Sequence, residues 1–244
     1  MIIGDSHGNH LYPGLVDQTS EGIFSGGTCP PLLDVFLYVE KNQGDHPCAS
    51  TDFVRKNLGI LDQTPSIHTV IISAYWRPVL DGIILNKAEQ ERWGKTTLRS
   101  NITNEADLGR PDLVLEGLTR TISALHSRGK RIIFVRDTPE LVNDVRAYCL
   151  DRPALLSGTS SPDCTIPLET YKGYRLKENE LVMQLMSRFN DLVVVDPMDV
   201  FCDDVLCYVM KDNAPYLRDQ HHLSVAGSGL IGQKLAPIIH KIGD

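Results

Sequence analysis

Three short runs of β-branched and apolar residues constrain this chain more than any other feature: Val70-Ile71-Ile72, Arg131-Ile132-Ile133-Phe134-Val135 and Leu192-Val193-Val194-Val195. Each is continuous rather than alternating, so each fits a strand covered on both faces. Around them, apolar residues recur at helical spacing over residues 50–61, 112–127, 177–189 and 224–241. The last of these carries Leu230, Ile231, Leu235, Ile238 and Ile239 on one stripe, with Ser224 placed to cap it. Strands alternating with helices imply a parallel sheet between helical layers, an α/β class in which ligands bind beyond the carboxyl ends of the strands. Stretches 26–47, 85–111 and 152–174 read as irregular, and loops of that length in a compact domain are often functional. They are expected to shape a substrate groove. No repeat or linker calls for a second domain, so a single domain over 1–244 is expected.

Charge and cysteine content narrow the function classes. A net charge of −7 and a pI near 5.6 argue against nucleic acid as a partner, since phosphate neutralisation needs clustered Lys and Arg. No apolar run approaches the roughly 18 to 20 residues of a membrane helix. The six cysteines fall into sequence-local pairs, Cys29 with Cys48, Cys149 with Cys164 and Cys202 with Cys207. Proximity favours these pairings, although six cysteines admit many. With no Cys-x-x-Cys spacing, a metal site is not expected, and disulfides in an oxidising compartment are the better reading. The N-terminus nevertheless lacks the basic region and long apolar core of an export signal. Only Met1-Ile2-Ile3 precedes Gly4 where a strand of about five residues is usual. The expectation is a chain cut from a longer polypeptide whose upstream part handles export.

The chemistry sits at the two ends. Gly4-Asp5-Ser6-His7-Gly8 follows the first apolar run, placing a hydroxyl on a strand-to-helix turn, with Asp5 expected to brace that turn. Asp219-Gln220-His221-His222-Leu223-Ser224 places a carboxylate and an imidazole three residues apart, before the last helix. A serine becomes a nucleophile at neutral pH when a base takes its proton and an acceptor fixes the tautomer of that base.

These residues resemble a known family. Gly4-Asp5-Ser6 is similar to the first block of the SGNH/GDSL hydrolases and Asp219-x-x-His222 to their last. The closest branch is the extracytoplasmic SGNH-like domain of membrane acyltransferase-3 proteins, which O-acylate surface polysaccharides. The segments Thr28-Cys29-Pro30-Pro31-Leu32, Cys202 to Cys207 and Tyr216 to Ser224 share in that similarity, which spans nearly the whole chain. The resemblance implies a flavodoxin-like three-layer sandwich with a central parallel sheet, with Ser6 as nucleophile, His222 as general base and Asp219 as its orienting partner. It also implies an oxyanion hole from the N–H groups of Ser6 and Gly26, with Gly27 as the alternative to Gly26.

In the third block the chain departs from the family. Where SGNH enzymes usually carry Gly-x-Asn-Asp, it reads Ser73-Ala74-Tyr75-Trp76-Arg77. Tyr75, Trp76 and Arg77 each carry an N–H or O–H donor, so either one of them, with Trp76 the candidate, replaces the missing Asn or turnover is slow. Tyr75, Arg77 and His221 are expected to face substrate, and the competing reading of Trp76 is plain core. His7 and His10 read as polar residues of the first helical turns. The implied activity is O-acyl transfer to a glycan through a serine acyl-enzyme, with no metal or soluble cofactor and an upstream membrane acyltransferase domain as partner. The implied location is periplasmic, tethered to the inner membrane. A stand-alone carbohydrate esterase and a catalytically weak glycan-binding module are the alternatives.

Overall fold

The computed structural model describes residues 1–240 apart from 43–45, 143, 144, 146–148, 150–163, 212 and 213. The chain opens with β1 (Ile2–Gly4), α1 (Ser6–Asn9), α2 (Tyr12–Gln18), β2 (Ser25–Gly27), β3 (Val35–Val39) and α3 (Asp52–Gln63). It continues with β4 (Thr69–Ser73), α4 (Trp76–Asp81), α5 (Lys87–Trp93), β5 (Thr96–Ser100), α6 (Arg110–His126) and β6 (Arg131–Val135). Then come β7 (Thr165–Pro167), α7 (Leu168–Tyr174), α8 (Leu176–Arg188), β8 (Val193–Val195) and α9 (Met198–Phe201). The last elements are β9 (Leu206–Tyr208), β10 (Met210–Lys211), β11 (Ala214–Pro215) and α10 (Val225–His240).

Contacts gather the chain into two compact units interleaved in sequence. The first comprises Met1–Asn9, Phe24–Arg136 and Leu176–Val195. The second comprises His10–Ile23, Asp137–Arg175 and Asp196–Asp244.

The first unit holds a five-stranded parallel sheet, order β2-β1-β4-β6-β8, flanked by helices. This is the α/β class expected. Ile3, Val70, Ile72, Ile132 and Phe134 pack with Val54, Leu61, Leu118, Ile122 and Leu185 from α3, α6 and α8 in one apolar core. Ile2, Ile71 and Ile133 alternate with them along the strands and are buried too, which is why these strands read as unbroken apolar runs. Each such side chain contributes roughly 1.5–3 kcal/mol by leaving water. Stretch 26–47, expected to be irregular, contains β3, and stretch 85–111 contains α5 and β5. The strands β3 and β5 pair antiparallel, with Val35, Val39 and Leu98 buried on one face. That pairing needs a partner distant in sequence, which local periodicity cannot supply.

The second unit is built on α2 and α10. Their backbones approach so closely that a Cβ on Gly14 would lie 1.9 Å from the Ser228 carbonyl oxygen, and the Gly14 N–H donates to Ser228 Oγ at 2.8 Å. The small residues of α10 therefore form its contact face. Ser224 caps α10 as expected, its hydroxyl accepting the Gly227 N–H. Short antiparallel ribbons, β7 with β9 and β10 with β11, complete this unit. Cys29–Cys48 closes a loop in the first unit, and Cys149–Cys164 and Cys202–Cys207 do so in the second. These are the pairings expected from proximity. Most of stretch 152–174 lies outside the described residues; its end forms β7 and α7. Among the described residues, no helix is long and apolar enough to cross a membrane.

Candidate active site

In the first unit, Ser6 begins α1 at the carboxyl end of β1 and is exposed. The strand order reverses direction between β1 and β4, the position where open α/β sheets leave a crevice for ligands. Three local features fix this turn. Gly4 is pressed against β4, where a Cβ would lie 1.7 Å from the Ser73 carbonyl oxygen, so any side chain there would part the two strands. The Asp5 carboxylate accepts the His7 N–H at 2.8 Å and, across the switch point, the Tyr75 N–H at 3.0 Å. The Asp5 carbonyl oxygen accepts the Gly8 and Asn9 N–H groups. Asp5 therefore braces the turn by backbone hydrogen bonds, as expected, and ties the loop after β1 to the loop after β4.

Of the residues after β4, Trp76 has its side-chain donor engaged within the sheet. Trp76 is wholly buried, stacks on Phe134 with ring centroids 4.7 Å apart, and donates its indole N–H to the Val135 carbonyl oxygen at 2.9 Å. The sheet already holds that donor, which supports the core reading over an oxyanion role for the indole. Tyr75, expected to face substrate, is buried, with its ring stacked on His7 at 4.4 Å. Arg77 is half-buried.

Gly26 lies inside the ladder opposite Ile3, between the Ile2 N–H to Phe24 and Thr28 N–H to Gly4 bonds, both 2.8 Å. Alternation in a parallel ladder directs the Gly26 N–H to the Ile2 carbonyl, which disfavours it as an oxyanion donor. Gly27, in the edge strand, faces outward instead. Its carbonyl accepts the Asn9 side-chain amide at 3.1 Å, and Asn9 also accepts the Ser25 hydroxyl at 2.8 Å. Asn9 does not stand out in the sequence. The available signal is its place three residues after Ser6, on the same helix face.

The second unit carries the Asp219–His222 pair. Asp219 begins a tight turn: its Oδ1 accepts the backbone N–H of His221 at 3.1 Å and of His222 at 2.8 Å. The same carboxylate meets His222 Nδ1 at 3.0 Å through Oδ1 and 2.8 Å through Oδ2. An ionised carboxylate is acceptor only, so Nδ1 carries a proton, and Nε2 is the nitrogen whose lone pair the neutral ring would present. Burial works to raise the Asp219 pKa, but the His222 ring, the two backbone donors and the imidazole charge outweigh it and hold it well below the usual carboxylate range.

Neighbouring segments pin the turn. The Gln220 carbonyl accepts the Leu141 N–H at 2.8 Å, and the His221 carbonyl accepts the Thr138 hydroxyl at 3.2 Å. His221, expected to face substrate, is buried.

His10 has a larger part than a polar helix-end residue. Its buried Nδ1 accepts the Leu223 N–H at 3.1 Å, and its ring stands edge-on to His222 at 6.3 Å. Burial first, then the nearby His222, His221 and Arg218, push its pKa well below the ordinary imidazole value, with Asp219 opposing. A histidine held neutral in the fold but free to protonate when unfolded contributes stability that is present above pH about 6.5 and lost below it, by up to about 1.4 kcal/mol per pH unit. Urea denaturation from pH 7 to 5 should therefore show a steeper acid loss in the wild type than in His10→Gln, whose amide oxygen can accept the same N–H. Parallel curves would remove His10 from this account.

The fold is thus that of a doubly wound α/β protein with a serine turn at its switch point, and its second unit presents an oriented aspartate–histidine pair. The chain belongs to the family described as SGNH domain (fused to AT3 domains), whose profile matches residues 1–237. Among solved structures it is similar to the periplasmic domain of a lipopolysaccharide acetyltransferase from Salmonella ser. Paratyphi A. That match has a TM-score of 0.61 and 17% sequence identity, and it covers 98% of this chain and 83% of that one. No curated protein matches the chain.

Proposed function

We propose that this protein forms an acyl-enzyme on Ser6 and passes the acyl group to a hydroxyl of a cell-surface glycan. The observation that carries the reading is the Asp219–His222 pair, which orients the ring and holds a proton on Nδ1, so that Nε2 is the nitrogen left to act as base. In this reading His222 Nε2 takes the Ser6 hydroxyl proton as Oγ attacks the acyl donor. The oxyanion is met by the Ser6 and Gly27 N–H groups. The protonated imidazole returns its proton to the leaving group, leaving an ester on Ser6. His222 then deprotonates a sugar hydroxyl, which attacks the ester and frees Ser6. No step calls for a metal or soluble cofactor.

Membership in a family of domains fused to AT3 domains supports a membrane acyltransferase domain as the partner that delivers the donor. The similar Salmonella domain belongs to an acetyltransferase and is periplasmic, which supports acetyl as the group carried and an extracytoplasmic location. Three disulfides agree with an oxidising compartment.

The test is 4-nitrophenyl acetate turnover with mass spectrometry of the peptide containing Ser6. Wild type should gain one acetyl group on that peptide and hydrolyse the ester, while Ser6→Ala does neither. An unmodified Ser6 with equal turnover in both proteins would sink the acyl-enzyme.

A further inference from the structure

One helix of the first unit owes nothing to the core. α5 has no buried residue, so burial cannot explain why Lys87–Trp93 is helical; a polar helix this short is unstable by itself. Side-chain caps hold it instead. Asn86 Oδ1 accepts the Glu89 N–H at 3.0 Å, and Gln90 accepts the Ile84 N–H at 2.7 Å while donating to the Gly94 carbonyl at 3.0 Å. Gly94, at φ +73°, then turns the chain sharply into β5. All this fixes the last residue of the helix, Trp93, which stands 40% exposed with the His46 ring 5.5 Å away at 66°.

His46 is fixed as well. Its Nδ1 accepts the Cys48 N–H at 3.1 Å, which leaves the proton on Nε2 as a donor. Cys48 is bonded to Cys29, and the preceding residue, Thr28, donates its N–H to the Gly4 carbonyl two residues before Ser6. The Trp93–His46 corner is therefore tied by a disulfide and one backbone hydrogen bond to the turn that bears the serine.

We propose that Trp93 and His46 form a subsite for a pyranose ring of the acceptor glycan. The indole offers an aromatic face for the C–H face of the sugar, and His46 Nε2–H offers a donor to a ring or hydroxyl oxygen. Glu40, paired with Lys95 at 3.2 Å, borders the same corner, whose strands are joined by the Glu40 N–H to the Lys95 carbonyl. An exposed indole beside a fixed imidazole N–H donor offers a sugar both an apolar face and a hydrogen bond, the combination a pyranose ring presents in return. The inference rests on the glycan-acceptor reading above, but on residues that play no part in its acyl chemistry.

The test is a glycan array probed with Ser6→Ala protein, alone and combined with Trp93→Ala or Trp93→Phe. Because Trp76 is fully buried, acrylamide quenching reports Trp93, and each glycan that binds on the array should protect it. Binding should fall roughly tenfold in Trp93→Ala and survive in Trp93→Phe. His46→Ala should weaken it as well, with unaltered near-ultraviolet circular dichroism showing that the fold is intact. Binding unchanged by Trp93→Ala, or no glycan bound by any of the proteins, would overturn the subsite. So would Trp93-dependent flotation with phosphatidylethanolamine–phosphatidylglycerol vesicles, which would make Trp93 a membrane contact. The outcomes separate from those of the acyl-enzyme test. An acetylated Ser6 without glycan binding removes the subsite alone, and Trp93-dependent binding with an inert Ser6 leaves the subsite and removes the chemistry.

Discussion

Asp219→Asn is expected to lower the rate of Ser6 acylation by about 10⁴-fold while leaving the fold intact. The reason lies in the two carboxylate oxygens. Oδ1 holds the turn by accepting the His221 and His222 N–H groups, and an amide oxygen can replace it there. Oδ2 meets His222 Nδ1 at 2.8 Å, and in the variant that position would carry an NH₂ donor. Nδ1 must then accept, the ring proton moves to Nε2, and the lone pair that would take the serine proton is lost. Asp219→Ala is a poorer experiment, because it also strips both backbone donors of their acceptor and loosens the turn. The measurement is the pre-steady-state burst of 4-nitrophenol for wild type and Asp219→Asn, with urea denaturation of both. A burst rate within tenfold of wild type would show that the pair does not serve the serine.

How much of this was legible in the sequence depended on whether a signal was local. The runs at Val70 and Arg131 declared buried strands because residues on both faces are apolar, whereas the run at Leu192 forms the edge strand β8, with Val193 and Val194 half-buried. The helices appear close to the spans their periodicity marked. The Asp219–His222 pair was legible for the same reason: an aspartate three residues before a histidine folds onto its own turn. Partners distant in sequence left no such trace. Trp76 follows a strand that lacks the expected Asn, so an N–H donor there looked available. Only the register of β4 against β6 reveals that the Val135 carbonyl claims it. Gly26 and Gly27 are indistinguishable as letters, yet the ladder turns one N–H inward and the other out. His10 looked like a helix-end polar residue because its partner, Leu223, lies at the other end of the chain.

The two roles weighed for Trp76 lead to opposite results in one pair of variants. As a core residue it fills the space over Phe134 with no exposed surface, so Trp76→Ala should cost about 3–5 kcal/mol from lost contacts and the cavity left behind. Trp76→Phe keeps most of the stacking but leaves the buried Val135 carbonyl without its donor, a loss of about 1–3 kcal/mol. In neither variant should acylation per folded molecule fall by the roughly 10²–10³ that follows removal of an oxyanion donor. Were the indole an oxyanion donor, Trp76→Phe would show the reverse, near-native stability with a rate reduced by that factor. Urea midpoints and acylation rates on the same preparations decide between them. The core assignment predicts a large shift in the midpoint and a small one in the rate, because the indole N–H is already held within the sheet at 2.9 Å and cannot turn toward a reacting carbonyl without breaking that bond.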